Sequence, residues 1–121
     1  MRLDHIQMAI PDGGEPQARR FWTDVMGFAE LAKPEPLQGH GGLWLTRDGI
    51  NLHLGVEEPF APARKAHPCF AVTDLDAILS RFDTAEIAYA FDTKLPGIRR
   101  VFIADPFGNR IEVMEEPAVL G

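Results

Sequence analysis

Apolar residues follow two spacings along the 121-residue chain. In two segments, near 15–26 and 74–84, they recur every three or four positions, which predicts amphipathic helices. Elsewhere they alternate with other residues, which predicts short strands near 3–10, 28–33, 42–47, 50–56, 67–72, 86–92, 99–104 and 110–115. The residues expected to be buried by the two helices are Phe21, Trp22, Leu75, Ile78 and Phe82. Each half therefore has one strand, one helix and three further strands.

An internal duplication relates the two halves. His5 and His67 open them at an offset of 62 positions, and the residues that follow each histidine also match. His53 and Glu112 close them at an offset of 59 positions. The pattern predicts a single domain over 1–121, with one module at about 1–58, a linker at about 59–65 and a second module at about 66–121.

Composition narrows the range of partners and compartments. The chain has 12 basic and 18 acidic residues and a formal net charge of -6, which argues against a nucleic-acid-binding surface. Its single cysteine, Cys69, cannot form an intrachain disulfide, as is typical of a reducing compartment. No stretch is apolar for long enough to cross a membrane. We therefore expect a cytoplasmic protein without a nucleic-acid or membrane partner.

The alternation of side chains along a strand predicts on which face each candidate ligand lies. Successive strand residues point to opposite sides, which places His5, His53, His67 and Glu112 on the less hydrophobic faces of their strands. Imidazole and carboxylate groups bind zinc, iron(II), nickel, cobalt or manganese. The pattern predicts one divalent metal ion bound by His5, His67 and Glu112. His53 is predicted to be a fourth ligand or a general base, and His53 and Glu112 are the candidate catalytic residues.

Each of these residues also has a structural interpretation. A single histidine in a strand is more often a packing or surface residue than a ligand. His40, in the glycine-rich segment 34–42, is expected to be solvated, and Cys69 to be a small buried apolar side chain. Several arginines have the chemistry to bind an anionic substrate, although solvated surface positions are the simpler interpretation; they are Arg64, Arg99, Arg100 and Arg110, together with Lys65.

Several motifs together resemble the vicinal-oxygen-chelate superfamily, which includes glyoxalases, bleomycin-resistance proteins and extradiol dioxygenases. They are Leu3-Asp4-His5, the helix end Phe21-Trp22-Thr23-Asp24-Val25-Met26-Gly27-Phe28, Leu52-His53-Leu54-Gly55, and Asp105-Pro106-Phe107-Gly108-Asn109-Arg110-Ile111-Glu112. The resemblance implies an α+β fold in which paired βαβββ modules form an open curled mixed sheet with helices on the outer face. It also implies a homodimer, and a metal that binds two oxygens of a small-molecule substrate.

The resemblance implies a metal-dependent enzyme, while isomerase, lyase and ring-cleaving dioxygenase activities all remain open. His5, His67 and Glu112 match ligand positions used across the family, and His53 falls at the fourth position. Glyoxalase I is expected to have a glutamate there, so this chain departs from that enzyme. Fosfomycin-resistance transferases and extradiol dioxygenases use similar ligand sets and remain alternatives. The alternative outside enzymes is a metal-free drug-binding protein of the bleomycin-resistance type.

Overall fold

The computed structural model of the protein describes residues 1–117 and divides into two compact units, Met1–Pro62 and the segment from Ala63 onward. The boundary lies inside the predicted linker. Each unit contains one main helical segment and one four-stranded sheet with both parallel and antiparallel pairs. The predicted α+β class, with open sheets built from two similar modules, is confirmed. Within the described residues, no helix combines the length and the apolar character needed to span a bilayer.

The first unit is built on a sheet with the strand order β1-β4-β3-β2. Its strands are β1 (Ile6–Ile10), β2 (Ala29–Leu31), β3 (Leu43–Arg47) and β4 (Ile50–Val56). The β1–β4 pair is parallel and the other two pairs are antiparallel. Helix α1 (Glu15–Arg19) continues into a π-helical turn at Arg20–Val25, and a 3₁₀ turn follows at Glu35–Leu37.

The second unit repeats this arrangement with the strand order β5-β8-β7-β6. Its strands are β5 (Cys69–Val72), β6 (Ala90–Phe91), β7 (Arg100–Ala104) and β8 (Arg110–Glu115). Helix α2 (Leu75–Thr84) begins after Asp74, whose carboxylate accepts a hydrogen bond from the Ala77 amide at 3.1 Å. Asp74 is therefore the N-cap of α2.

Strand register supports the duplication. In the first unit His53 on β4 lies opposite Gln7 on β1, and in the second Glu112 on β8 lies opposite Cys69 on β5. Gln7 and Cys69 are themselves equivalent at the offset of 62 positions. The residue that closes each module therefore occupies the same place in its sheet.

The helix stripes are buried as predicted. Phe21, Trp22, Leu75, Ile78 and Phe82 are all buried, and Trp22 is completely inaccessible. The first helix is nevertheless not a regular α-helix over 15–26. The Met26 amide donates to the Phe21 carbonyl, five residues earlier, at 2.9 Å, which is the wider hydrogen-bond ring of a π-helix.

Several predicted strand starts are wrong, and β6 differs most, since it begins at Ala90 and not near residue 86. His5 and His67 were expected inside strands, but β1 begins at Ile6 and β5 at Cys69. Pro68 explains the second case, because proline has no amide hydrogen to donate and restricts the residue before it. Both histidines thus lie just before a strand, whereas His53 and Glu112 lie inside β4 and β8.

Gly42 sets the close approach at the start of β3. Its φ is +80°, and a Cβ at this position would overlap the carbonyl oxygen of Leu54 on β4. Only glycine accepts both the backbone conformation and the contact. The close contact of Gly42 with β4 lies two residues before Trp44, which is in register with His53.

Candidate functional site

In the first unit, three rings stack at the start of β1 and across β3 and β4. The ring centroids of Trp44 and His53 are 3.9 Å apart with planes 3° apart, and those of His53 and His5 are 4.1 Å apart with planes 20° apart. Cross-strand register explains the first contact, since Trp44 lies directly opposite His53. The stack holds the His53 ring between two flat neighbours.

The His5 ring is oriented by the adjacent Asp4. Its Nδ1 lies 3.0 Å from a carboxylate oxygen of Asp4, and this hydrogen bond is the largest cause that lowers the pKa of Asp4, followed by the hydrogen bond from Arg2. A neutral imidazole that donates from Nδ1 keeps its electron pair at Nε2. A histidine–carboxylate pair of this kind commonly orients a metal-binding imidazole.

His53 is held in its neutral form near neutral pH. Burial lowers its pKa below the ordinary value, and the neighbouring His5 lowers it further, while Asp4 opposes the shift. A neutral imidazole is the form required of a metal ligand and of a general base. His53 thus has the protonation state for either of its predicted roles.

In the second unit, His67 and Glu112 form a direct pair. The Nε2 atom of His67 lies 3.1 Å from Oε1 of Glu112, and Nδ1 of His67 lies 2.9 Å from the Lys65 carbonyl oxygen. Glu112 is 7% exposed although it is ionisable. The position follows from the register of β8, which places Glu112 between β5 and β7.

The hydrogen-bond partners of His67 restrict its protonation. Both the Lys65 carbonyl and the Glu112 carboxylate are acceptors, whereas a neutral imidazole has one donor and one acceptor. The arrangement is therefore satisfied by an imidazolium that donates on both sides, or by a cation that binds Nε2 and Oε1 together. The donor set of nitrogen and oxygen atoms fits a divalent transition metal or zinc.

Arg100 keeps Glu112 ionised. Burial alone would raise the pKa of Glu112, but hydrogen bonds from Arg100, His67 and Cys69 outweigh it and hold the pKa below its ordinary value. The guanidinium donates to Oε2 of Glu112 at 3.1 Å and also lies 3.3 Å from a carboxylate oxygen of Asp92. Arg100 was a candidate for binding an anionic substrate, and the structure shows it committed to these two carboxylates.

The structure thus brings the four predicted ligands together as two pairs, His5 with His53 and His67 with Glu112. Within residues 1–117, no group of three or more histidine, cysteine, aspartate or glutamate side chains lies close enough to hold a metal ion. The binding of one metal by all four remains a prediction. His40 is exposed, as expected for a loop residue. The expectation that Cys69 is buried is wrong, because the residue lies at the exposed start of β5.

Sequence reasoning missed the residues that orient the candidate ligands. Asp4 was recognised only within the Leu3-Asp4-His5 motif, and the stacking of Trp44 on His53 was not predicted. The sequence of β7 could have indicated the contact of Arg100 with Glu112. Arg100 and Phe102 share a face of β7, and Phe102 lies opposite Glu112 on β8. Pairing β7 with β8 in that register would have predicted the Arg100–Glu112 contact.

A family model described as the glyoxalase/bleomycin resistance protein/dioxygenase superfamily matches residues 2–113. The chain belongs to this superfamily. A glyoxalase family protein from Bacillus anthracis is 39% identical in sequence, with a TM-score of 0.92 over 97% of this chain and 96% of that chain. Comparison with curated proteins gives no match.

Two structures of lower sequence identity show the fold alone. A lactoylglutathione lyase from Agrobacterium tumefaciens is 22% identical, with a TM-score of 0.75 over 94% of this chain and 92% of that chain. An antibiotic-binding protein from Streptomyces is 24% identical, with a TM-score of 0.72 over 97% of this chain and 99% of that chain. The superfamily fold thus occurs in both an enzyme and a binding protein.

Proposed function

We propose that the protein is a metal-dependent enzyme of the glyoxalase or dioxygenase type, which acts on a small oxygenated substrate held through two vicinal oxygens. His5, His67 and Glu112 are the ligands of one divalent ion, zinc, iron(II), nickel, cobalt or manganese, and His53 is the fourth ligand or the general base. Isomerase, lyase and ring-cleaving dioxygenase activities are the candidate reactions. The proposal includes a homodimer, as the resemblance to the superfamily implies, and a cytoplasmic location, as the single cysteine suggests.

One observation carries the proposal. The imidazole Nε2 of His67 faces a carboxylate oxygen at 3.1 Å while its Nδ1 faces a carbonyl oxygen. The equivalent His5 also has an oxygen acceptor at Nδ1, the carboxylate of Asp4. This orientation supports the proposal, because hydrogen bonding at Nδ1 of both histidines leaves Nε2 as the nitrogen for a metal ion.

The chemistry of the site follows from these residues. A divalent ion, when bound, supplies Lewis-acid stabilisation of negative charge that develops on substrate oxygens. Glu112 contributes an ionised carboxylate, because Arg100 compensates for its burial. His53 is held between Trp44 and His5 with a lowered pKa, so a ring nitrogen is available to accept a proton from the substrate.

A metal-free binding protein is the second candidate. The stack of Trp44, His53 and His5 is a series of flat rings within about van der Waals distance of one another. Flat aromatic molecules bind to such surfaces by stacking. The similarity in fold to the Streptomyces antibiotic-binding protein is compatible with this candidate.

Zinc titration of the metal-free protein by calorimetry distinguishes the two candidates. We expect Glu112→Gln to weaken zinc binding by about a hundredfold or more, since even residues that merely orient ligands change affinity ten- to a hundredfold. His40→Ala is the control, because it removes an exposed imidazole from a loop and should leave the affinity unchanged. Circular dichroism establishes that both variants are folded. Titrations with nickel, manganese, cobalt and, anaerobically, iron(II) extend the comparison to the other candidate ions. Equal affinity in the two variants, or no binding of any of these ions by the parent protein, would favour the metal-free candidate.

A further inference from the structure

Arg110 lies on the same face of β8 as the candidate ligand Glu112. The two residues are separated by one position in the strand, so their side chains point to the same side. The guanidinium carbon of Arg110 lies 4.1 Å from the ring centroid of Phe102, which is the cross-strand neighbour of Glu112. The same ring makes an edge contact with His67 at 5.5 Å between centroids. Phe102 therefore places the Arg110 charge beside the His67–Glu112 pair.

The two arginines on this face differ in how their charge is compensated. Arg100 is engaged by the carboxylates of Asp92 and Glu112. Arg110, in contrast, forms no ion pair with any residue of the described range 1–117. Arg110 is a half-buried guanidinium without a carboxylate partner. Although the chain has a formal net charge of -6, such a cation creates a local preference for anions.

The backbone that carries Arg110 is fixed on both sides of the residue. Its amide donates to the Ala63 carbonyl at 2.8 Å, and the side-chain oxygen of the preceding Asn109 accepts from the Ala63 amide at 2.9 Å. Asn109 is itself 1% exposed and bonded to Asp105. The position of Arg110 is thus determined by a buried turn as well as by its contact with Phe102.

We propose that Arg110 binds a carboxylate group of the substrate, so that the substrate class is small organic anions that carry a carboxylate in addition to the two vicinal oxygens. The inference rests on the proposed function and narrows it. A guanidinium pairs with a carboxylate through two parallel hydrogen bonds, which gives both strength and orientation. Arg110 is then a specificity-determining residue, while Glu112 and the histidines hold the metal.

The test compares 3,4-dihydroxybenzoate with its methyl ester, because both carry the same vicinal oxygen pair and only the acid has a carboxylate. Calorimetry on the zinc-loaded protein should show that the parent prefers the acid by about tenfold or more, as expected for hydrogen bonds between charged groups. Arg110→Gln should abolish this preference, and Arg110→Lys should retain part of it. Arg20→Gln is the matched control, since it removes the same charge from an exposed helical residue and should leave the preference intact.

Zinc affinity, measured without either probe, separates this inference from the proposed function. Arg110→Gln should bind zinc as the parent does, whereas Glu112→Gln should not. If the parent binds none of zinc, iron(II), nickel, cobalt and manganese, the metal-dependent function fails, and the same two probes on the metal-free protein still test Arg110. Equal affinity of the parent for acid and ester, binding of neither, or an acid preference that survives Arg110→Gln would overturn the inference.

Discussion

Substitution of Asn109 by alanine tests the buried turn that begins β8. The Asn109 side chain is 1% exposed, and its amide nitrogen donates to a carboxylate oxygen of Asp105 at 2.8 Å. Its oxygen accepts from the Ala63 amide at 2.9 Å. Alanine removes both hydrogen bonds and leaves part of the Asp105 carboxylate buried without its donor. The turn that fixes the start of β8 should therefore loosen.

The expected loss of unfolding free energy follows from these contacts. A hydrogen bond to a charged group contributes about 1.5–3 kcal/mol, and the neutral bond to Ala63 about 1 kcal/mol. Ala63 is exposed, so its amide is hydrated in the variant and adds little further cost. We expect Asn109→Ala to lower the free energy of unfolding by about 3 kcal/mol in total.

The pH dependence gives this prediction a second signature. Burial raises the pKa of Asp105, and hydrogen bonds from Asn109, Phe107 and Gly108 oppose the shift. A carboxyl whose pKa is raised on folding favours the folded state below its unfolded pKa, and that contribution is lost as pH rises through the folded pKa. Because alanine removes an opposing hydrogen bond, the difference between parent and variant should be largest at neutral pH and narrower in acid.

Urea unfolding at equal protein concentration measures the difference. Asn51→Ala is the control, because Asn51 is exposed and makes one long hydrogen bond to the Asp4 carbonyl at 3.3 Å. That change should stay within about 0.5 kcal/mol of the parent. A loss below about 1 kcal/mol for Asn109→Ala, which is the size of one ordinary hydrogen bond, would refute the reasoning about the turn.

Two further outcomes follow from the account. Sedimentation at micromolar concentrations should give a dimer of the 13.4 kDa chain, and a mass that stays at the monomer value would contradict the proposed assembly. Partial burial and the Glu112 charge raise the pKa of the Cys69 thiol from 9.0 to about 11. In the metal-free protein, iodoacetamide should therefore react with Cys69 about a hundredfold more slowly than with a peptide cysteine at neutral pH. The rate should rise only in alkaline solution, and a rate equal to that of the peptide would contradict this environment.

Much of the fold could be predicted because burial imposes a period on the sequence. Apolar residues at every third or fourth position predict the helices, and the alternation of apolar residues predicts β4 and β8. The π-helical turn at Arg20–Val25 escaped prediction, since over one turn its spacing cannot be told from that of an α-helix. The strand start at Ile6 escaped prediction because it depends on pairing with a distant strand, whereas Pro68 was the available signal for the start at Cys69.

The candidate site was predicted less completely than the fold. The alternation of side chains along the strands and the internal duplication predicted the four possible ligands. The hydrogen-bond partners of each ligand depend on the register between neighbouring strands, which the sequence pattern does not give. Arg100 illustrates the difference, because its contact with Glu112 requires β7 to pair with β8 so that Phe102 faces Glu112. The Asp4–His5 contact is between adjacent residues. It could have been predicted, because a carboxylate next to a candidate histidine ligand commonly orients that histidine.

Metal analysis of the protein purified without added metal tests the central claim most directly. The account predicts that the parent retains zinc or a transition metal, and that Glu112→Gln loses it while His40→Ala keeps it. Retention by Glu112→Gln at the parent level would contradict the assignment of Glu112. A parent that contains no such metal and binds none on titration, yet is stabilised by flat aromatic ligands, would contradict the proposed enzyme and support a metal-free binding protein.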